Sequence, residues 1–280
     1  MVEPLIACLP GAGEVHALER LYLDMPLPEA SAAGGPFIYA NYIASLDGRI
    51  SVADASGRQH VPDAIANPRD RRLLEELAGH ADLVLCSGRY LRELAAGSAQ
   101  AGPPVSAGAA FADIHAARIE RGLAPQPDIA VLSASLDFPV PTGLLAEGRR
   151  VIAMTSDTLP PERIEAQAQA GVEVIPLASA LHPGVRPLAS ALAGLGHRRI
   201  YALAGPFVLH SLLAAGLLDT LFLTSVHRVI GGTPFASLCE GEQLAMPADF
   251  RLSALYLDCH GPAGCSQSFA RYDRRRDAPG

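Results

Sequence analysis

Long apolar runs are absent from this chain of 280 residues, and no stretch approaches the roughly 18 uncharged apolar residues of a membrane-spanning helix. The N-terminus lacks the basic start of a secretory signal, and the apolar stretch at residues 5–9 is too short for the core of one. Both absences argue against a membrane protein or a secreted one. The sequence therefore predicts a soluble, cytoplasmic protein.

An excess of positive charge is also absent. The chain has 22 lysines and arginines against 29 aspartates and glutamates, which gives a net charge of −7. A nucleic-acid-binding protein needs a cationic face that displaces counterions from phosphates, and nothing in the sequence supplies one. The one dense basic cluster, at residues 271–276, is typical of a solvated strand end and tail. We expect a small-molecule ligand and no nucleic-acid or membrane partner.

Cysteine is scarce. The chain has five, scattered and odd in number, which predicts free thiols in a reducing compartment. Cys259, His260 and Cys265 match no common zinc spacing, and a fourth ligand is not evident. We predict a hairpin turn at Gly261-Pro262 and no metal site.

Regular alternation of strands and helices dominates the rest of the sequence. Residues 37–43 are rich in aromatic and β-branched side chains and free of charge, which predicts a buried central strand. Further strands are predicted at residues 82–86, 129–132, 150–155, 172–175, 200–203 and 221–226, and helices at 111–121, 161–170, 187–195 and 207–215. Such alternation predicts an α/β fold with a mainly parallel central sheet flanked by helices.

Both ends of the chain differ from this pattern. Residues 251–257 and 266–272 predict an antiparallel hairpin at the sheet edge. Residues 1–35 lack a clear pattern and end in small residues, which predicts an irregular N-terminal arm. We expect this arm at 1–35 and one domain at 36–280.

The first helix has a strong start signal. Asn67 is a good N-cap, Pro68 suits the first helical position, and Asp70 favours the positive end of the helix dipole. Leu73, Leu74 and Leu77 then repeat at helical spacing.

Gly11-Ala12-Gly13 follows an apolar stretch and imitates the opening of a Rossmann dinucleotide site. That site needs a third glycine three residues after the second, where His16 stands in this chain. Pro10 also interrupts the turn, so we predict no Rossmann site.

The first informative segment runs from Asn41 to Ile50, where a buried strand leads into a polar turn with Ser45 and Asp47. Open α/β sheets bind ligands at the carboxyl ends of their strands. A carboxylate there can hold a sugar hydroxyl or assist proton delivery beside a hydride transfer. The alternative, that Asp47-Gly48 is simply a tight turn, stays open on local grounds.

A second such segment runs from Tyr201 to Leu209, where a strand ends in small residues and a helix starts at once. Backbone N–H groups at a helix N-terminus favour an anion, and Ala204-Gly205 leave space for a phosphate. Cys86-Ser87-Gly88-Arg89 is a similar segment at the end of another predicted strand, and Arg89 is near enough to contact a phosphate. An ordinary strand-to-helix turn remains the alternative.

Three motifs in order resemble one known family. They are Ser45-Leu46-Asp47-Gly48 after an apolar strand, residues 129–137 after 121–125, and residues 213–221 running to Gly231-Gly232. This set is similar to the pyrimidine reductases of riboflavin biosynthesis, as found in the C-terminal domain of the bacterial bifunctional deaminase-reductase. The resemblance spans about residues 36–274 and implies a dihydrofolate-reductase-like fold and a homodimer. The zinc signature of the deaminase half is missing.

The resemblance also implies an NADPH site. The pyrophosphate would lie on the turn at Ala204, Gly205 and Pro206, with Phe207 beside it. Gly88 would approach the nicotinamide ribose or the pyrophosphate. The remaining residues expected to bind the cofactor are Arg89, Ser133, Ser135 and Thr155, the last three bordering the adenosine half.

For the substrate, the resemblance implies that Asn41, Ser45 and Asp47 bind it and that Asp47, facing the sugar, is the catalytic residue. Hydride would go to C1′ of a ribosylamino group. The best single substrate is 5-amino-6-(5-phosphoribosylamino)uracil, which becomes its ribitylamino product. Two alternatives are a reductase of a pterin or folate-like ring and a non-catalytic ligand-binding or regulatory protein on the same fold.

The sequence departs from the family pattern at three places. Leu203-Ala204-Gly205-Pro206 stands where the family has Glu-Gly-Gly-Pro, which adds a methyl group near the phosphate path. Ser87-Gly88-Arg89-Tyr90 lacks the family's threonine and adds a ring near the pocket. Leu77-Ala78 replaces an arginine that would contact an anionic substrate.

Overall fold

One sheet of eleven strands runs through the part of the chain that the computed structural model describes, residues 2–97, 104–146, 148–177 and 185–276. The strands are β1 (Leu5–Leu9), β2 (Val15–His16), β3 (Phe37–Ser45), β4 (Ser51–Ala53), β5 (Gln59–His60), β6 (Leu83–Ser87), β7 (Asp128–Leu132), β8 (Val151–Ser156), β9 (Glu173–Leu177), β10 (Arg199–Ala202), β11 (Thr220–Val226), β12 (Phe235–Ala236), β13 (Phe250–Asp258) and β14 (Gln267–Arg274). The helices are α1 (Pro68–Ala78), α2 (Gly88–Ala95), α3 (Ala112–Glu120), α4 (Thr142–Ala146), α5 (Pro161–Gln169), α6 (Val185–Gly194) and α7 (Pro206–Ala214).

The sheet has a parallel part and an antiparallel part. Its order is β2-β1-β13-β14-β11-β3-β10-β6-β7-β8-β9, and every pair from β11 to β9 is parallel. The C-terminal hairpin β13–β14 is antiparallel, as predicted, and β14 pairs with β11. Its predicted place at the sheet edge is wrong, because β1 pairs with the outer side of β13 and β2 with β1. The small strands β12, β4 and β5 form a separate sheet that the sequence did not indicate. The predicted α/β class, with a mainly parallel sheet and a terminal hairpin, is confirmed.

The central strand β3 is buried on both faces, as its uncharged sequence predicts. Ile38 and Ala40 face a core that Leu209 and Leu212 of α7 also enter. Tyr39 faces the opposite core, against Leu77 of α1. Alternate residues of one strand therefore enter two separate cores, which explains why β3 has no polar face.

Helix α1 begins as predicted, because the Asn67 side chain accepts hydrogen bonds from the N–H groups of Arg69 and Asp70 at 3.1 and 3.0 Å. No range was predicted for helix α2, although the sequence indicated that Cys86-Ser87-Gly88-Arg89 resembles the strand-to-helix turn before α7. The helix starts directly at Gly88.

The N-terminal segment is more ordered than predicted. Strand β1 pairs antiparallel with β13, and Leu5, Tyr22 and Leu23 are buried. The prediction that residues 1–35 are irregular is therefore wrong for β1 and β2, whereas the domain boundary at residue 36 stays a prediction. Gly11 and Gly13 lie in the turn between these two strands, both with positive φ, and no helix follows them. This geometry agrees with the absence of a Rossmann site.

Glu76 of α1 holds the N-terminal segment in place. Its buried carboxylate accepts hydrogen bonds from the backbone N–H groups of Arg20, Tyr22 and Leu23 at 2.6, 2.9 and 3.1 Å. The Arg72 guanidinium donates a fourth bond at 2.7 Å. One side chain of the helix thus satisfies a run of backbone donors that has no strand partner.

The basic cluster at the C-terminus is less solvated than predicted. Arg271 forms an ion pair with Asp273 at 2.9 Å, and Arg276 forms one with Asp219 at 2.7 Å. The Arg271 side chain is mostly covered, and both ion pairs fasten the last strand to the sheet. Among the described residues, no helix is long and apolar enough to cross a bilayer.

Candidate active site

A cavity of about 650 Å³ opens at the carboxyl ends of β3, β6 and β10, a volume typical of small-molecule sites. Asn41, Tyr42 and Ile43 of β3 line it, as do Ser87 after β6 and Leu203 after β10. Three adjacent parallel strands therefore end at one opening, where open α/β sheets bind their ligands.

Two helix N-termini meet at this cavity. Helix α7 begins after Gly205 and helix α2 after Ser87, and both of these N-cap residues line the cavity. Neither cap makes a side-chain hydrogen bond to its helix. Backbone N–H groups at a helix start favour an anion, but α7 offers few of them, because Pro206 has no N–H and the Val208 N–H donates to the Gly205 carbonyl at 3.1 Å.

The turn at Leu203-Ala204-Gly205-Pro206 lines the cavity throughout. A Cβ placed on Gly205 would meet no heavy atom within 4 Å, so the turn leaves open space in front of α7. The Tyr42 hydroxyl donates to the Ala204 carbonyl at 2.8 Å, and the Ala204 side chain packs against the core that contains Leu209. The Ala204 methyl group therefore has apolar neighbours, and the space in front of Gly205 stays open.

The turn at Ser87-Gly88-Arg89-Tyr90 forms the other wall. Ser87, Arg89 and Tyr90 line the cavity, whereas Gly88 packs against the segment after β7. A Cβ on Gly88 would lie 3.1 Å from the Ser133 Oγ and from a ring carbon of Phe138. Gly88 therefore lets α2 approach the segment after β7 closely. Gly88 does not line the cavity, and its predicted contact with a cofactor stays a prediction.

Arg89 lines the cavity with its guanidinium already engaged. Its Nε donates to Glu93 at 2.8 Å, and a second nitrogen donates to the Gln59 carbonyl. Tyr90 is largely buried among apolar neighbours of α2 while also reaching the cavity. The ring therefore narrows the cavity without filling it.

The residues predicted for the adenosine half lie further along the sheet, outside the cavity lining. Ser133 and Ser135 follow β7, and their hydroxyls accept hydrogen bonds from the N–H groups of Leu136 and Asp137. Thr155, at the end of β8, is fully buried, and its hydroxyl has no partner among the described residues. Phe207, also predicted, is exposed on the first turn of α7.

Asp47 is held in a network at the end of β3. Its carboxylate accepts hydrogen bonds from the Ser45 hydroxyl at 2.5 Å and the Gly231 N–H at 2.9 Å. Arg49 forms an ion pair with it at 2.6 Å. These contacts, the bond from Ser45 foremost, lower the pKa of Asp47 to about 2.

Neither Asp47 nor Ser45 lines the cavity, although Ile43 and Ile50 on either side of their turn do. Of the three predicted substrate residues, the structure therefore brings only Asn41 into the cavity. Asp47 instead ties the turn after β3 to the loop that contains Gly231. The roles of Ser45 and Asp47 stay predictions.

Asp70 lines the cavity and was missed as a site residue. Only 8% of it is exposed, and burial raises its pKa to about 6 although Thr224 donates a hydrogen bond to it. Its Oδ1 has no hydrogen-bond partner among the described residues. The sequence did contain a signal, because Asp70, Leu73, Leu74 and Leu77 share the i, i+3, i+4, i+7 spacing of one buried helix face.

Two further polar groups reach the cavity. The Tyr201 hydroxyl donates to the Asn41 side-chain oxygen, which leaves the Asn41 amide N–H groups as donors for a ligand. His60 of β5 also lines the cavity, and its Nδ1 has no partner among the described residues. The cavity therefore combines two helix ends with a separate group of polar side chains.

Sequence relatives point to one enzyme family. The pattern of the RibD C-terminal domain matches residues 36–260. A 2,5-diamino-6-ribosylamino-4(3H)-pyrimidinone 5′-phosphate reductase from Methanothermobacter thermautotrophicus is 23% identical over 219 residues, 76% of this chain and 88% of that protein. A protein of the same name from Archaeoglobus fulgidus is 25% identical over 208 residues, 74% of this chain and 87% of that protein.

A solved structure of a similar protein supports the same family. A pyrimidine reductase-like protein from Corynebacterium diphtheriae matches with a TM-score of 0.64 and 25% identity, over 86% of this chain and 93% of that one. The likeness to that structure agrees with the predicted α/β fold class, whereas the dihydrofolate-reductase-like fold stays a prediction. Because the family pattern covers most of its length, the chain belongs to the RibD C-terminal domain family, the pyrimidine reductases of riboflavin biosynthesis.

Proposed function

We propose that this pyrimidine reductase uses NADPH to reduce a ribosylaminopyrimidine phosphate to its ribitylamino product. The observation that supports this most directly is the cavity that joins the starts of α2 and α7 to the polar group around Asn41 and Asp70. Both archaeal relatives are named as reductases of such a substrate. One ligand would occupy the helix ends and the other the polar group.

On the cofactor side, we propose that the turn at Ala204, Gly205 and Pro206 holds the pyrophosphate. The position of this turn at the positive end of α7 and the open space in front of Gly205 support this. Gly88, Arg89 and Phe207 would border it, and Ser133, Ser135 and Thr155 would follow the adenosine half along the ends of β7 and β8. A bound nicotinamide cofactor supplies the hydride.

On the substrate side, we propose that Asn41 holds the heterocycle and that Ser45 and Asp47 shape the sugar end. Arg71 of α1 lines the same cavity and is half exposed, so it offers a cation for the 5′-phosphate in place of the arginine missing at the end of this helix. These side chains would orient C1′ toward the nicotinamide. Tyr42, Ile43 and their apolar neighbours would exclude water from the site.

A fluorescence titration of the purified protein with NADPH tests this function. We expect saturable enhancement of the nicotinamide signal with a Kd in the micromolar range, and weaker binding of NADH in the same assay. No binding at millimolar cofactor would instead support a non-catalytic ligand-binding protein. We also propose a homodimer and a cytoplasmic location. Gel filtration with light scattering would test the homodimer.

Asp47→Asn separates two roles for this residue. We expect kcat to fall about a hundredfold with little change in the Kd for NADPH, because Asp47 shapes the substrate end of the site and lies outside the cofactor turns. Steady-state kinetics and the NADPH titration measure the two effects. Asp54→Asn is a matched control, since Asp54 holds a similar turn through Ser56 and Arg58 away from the cavity. Equal losses of turnover and cofactor affinity for Asp47→Asn would mean that Asp47 is structural.

A further inference from the structure

A second cavity, of about 330 Å³, opens at the end of the sheet opposite the candidate active site. Asp82 directly before β6 and Arg199 at the start of β10 line it, whereas the active-site cavity lies at the carboxyl ends of these two strands. Strands β6 and β10 have five and four residues. At about 3.3 Å per residue, the two cavities are therefore on the order of 15 Å apart, and they share no lining residue.

Residues 121–125, which belong to the motifs identified in the sequence, have no part in the candidate active site. The structure places Arg121 and Leu123 of this stretch in the second cavity, directly after α3. Met25 and Leu27 of the N-terminal segment also line it. The second cavity therefore lies where the N-terminal segment packs against the rest of the fold.

Two guanidinium groups in this cavity bond mainly to backbone carbonyls. Arg121 donates to the Leu23 carbonyl at 2.6 Å and to the Gly79 carbonyl at 3.4 Å. Arg199 donates to the Leu27 carbonyl at 2.9 Å. These bonds fix both side chains, but a carbonyl does not neutralise a positive charge. A guanidinium also has more N–H groups than these bonds use, so both side chains keep donors for a ligand.

The carboxylates around the second cavity leave Arg121 without a counter-ion. Asp24 already has an arginine partner at 2.7 Å, and Asp82 accepts hydrogen bonds from two backbone N–H groups at the start of β10 at 2.7 and 2.9 Å. Glu29 is 65% exposed and lies 3.9 Å from the Arg199 guanidinium. Arg121 forms no ion pair within the part of the chain that the structure describes. The cavity therefore carries uncompensated positive charge.

Arg121 and Arg199 repel each other in this cavity. Burial, followed by the positive charge of Arg199, lowers the pKa of Arg121. The Arg199 side chain is only 17% exposed, so water and salt screen the repulsion incompletely. His80 adds no charge, because burial lowers its pKa to about 4 and its Nε2 lies 2.8 Å from the Tyr22 carbonyl. An anion at the two guanidinium groups would replace this repulsion by attraction.

We propose that the second cavity binds the phosphate group of a small ligand at the guanidinium groups of Arg121 and Arg199. A phosphate monoester carries about 1.5 to 2 negative charges at pH 7, so two arginines attract it more strongly than they attract a carboxylate. The volume lies at the lower end of the range for small-molecule sites, which suits inorganic phosphate or a sugar phosphate. The proposal does not depend on the proposed reductase function.

Leu123→Glu and Leu123→Gln test this site without removing an arginine that holds the N-terminal segment. Leu123 lines the cavity and is partly exposed, so both replacements have room. The glutamate carboxylate would pair with the guanidinium groups and repel a phosphate, whereas the glutamine amide has the same shape without the charge.

Calorimetry with inorganic phosphate and with ribose 5-phosphate measures the effect. We expect a Kd below about 1 mM for at least one of them in the unaltered protein and in Leu123→Gln, and binding at least about 30-fold weaker in Leu123→Glu. The tighter of the two ligands shows whether the site takes free phosphate or a phosphate monoester. Acetate should bind at least about tenfold more weakly than phosphate, because it carries a single charge.

Two results would overturn the proposal. One is the absence of binding at tens of millimolar of either phosphate compound, and the other is equal binding by Leu123→Glu and Leu123→Gln, which would place the phosphate elsewhere. Phosphate bound in the active-site cavity would be retained in both variants, because Leu123 does not line that cavity. Both variants should also keep the Kd for NADPH, so failure of the proposed function stays distinguishable from failure of this site.

Hydrogen exchange gives a local readout. Arg121 and Arg199 hold the carbonyls of Leu23 and Leu27, so a phosphate that neutralises the two arginines should slow amide exchange across residues 20–27. Phosphate should also raise the melting temperature more in Leu123→Gln than in Leu123→Glu, where only its general salt effect remains. If the arginines serve only to hold these carbonyls, phosphate will leave the exchange unchanged and the two variants will respond alike, which contradicts the proposal.

Discussion

Replacing Gly205 by aspartate should weaken NADPH binding by about 30-fold to 1,000-fold, whereas replacement by asparagine should weaken it far less. The reason is electrostatic. A carboxylate at the start of α7 would lie beside the proposed pyrophosphate, and like charges about 4–8 Å apart near a protein surface repel each other by about 2–4 kcal/mol. That energy corresponds to the stated loss of affinity.

The local structure makes the two variants a matched pair. Gly205 has φ −71°, which any residue adopts, and an added Cβ would meet nothing within 4 Å. Aspartate and asparagine are both good N-caps, so both variants should fold with α7 intact. The pair differs mainly in one charge. Equal Kd values for NADPH in the two variants would mean that the pyrophosphate lies elsewhere.

Glu76→Ala should lower the free energy of unfolding by about 3–5 kcal/mol, the range found when one partner of a buried ion pair is removed. The Glu76 carboxylate is fully buried and satisfies the backbone N–H groups of Arg20, Tyr22 and Leu23. Its loss leaves these three backbone donors and the Arg72 Nε unpaired, while the other Arg72 nitrogens keep their bonds to Asp113. Urea denaturation followed by circular dichroism measures the change.

Glu165→Ala is the control for this loss, because Glu165 is an exposed glutamate on α5 and its replacement should change stability by no more than about 0.5 kcal/mol. Hydrogen exchange gives a local readout. The amides of Tyr22 and Leu23 should exchange faster in Glu76→Ala than those of β3. A cost below about 1 kcal/mol with unchanged exchange would show that apolar packing alone holds the N-terminal segment.

The alternating elements were predictable because their signals are local. Charge-free residues in β3, the Asn67-Pro68 start of α1 and the small residues before α7 each determine their own structure. The N-terminal segment was not predictable in this way. Its backbone donors are satisfied by Glu76, which lies more than 50 residues later in the chain. No pattern within residues 1–35 indicates that contact.

The residues of the candidate site differ in the same way, because some have local sequence signals and others depend on distant segments. The two strand-to-helix turns at Ser87 and Gly205 were identified from sequence because a helix start binds anions through its own backbone. Asp47 was chosen for its place in a motif, but its contacts with Ser45, Arg49 and Gly231 depend on a distant loop. Asp70 was interpreted as a favourable charge at a helix start, whereas the fold buries it beneath the cavity.

In the function that we propose, one cavity brings a nicotinamide ring to the C1′ atom of a ribosylaminopyrimidine. Isotope transfer tests it most directly. The protein is incubated with 2,5-diamino-6-ribosylamino-4(3H)-pyrimidinone 5′-phosphate and NADPH that carries deuterium at C4 of the nicotinamide, with each of the two C4 epimers in turn. We expect one epimer to deliver one deuterium to C1′ of the ribitylamino product for each NADPH oxidised. NADPH that stays reduced, or a product labelled from solvent water at C1′, would contradict it.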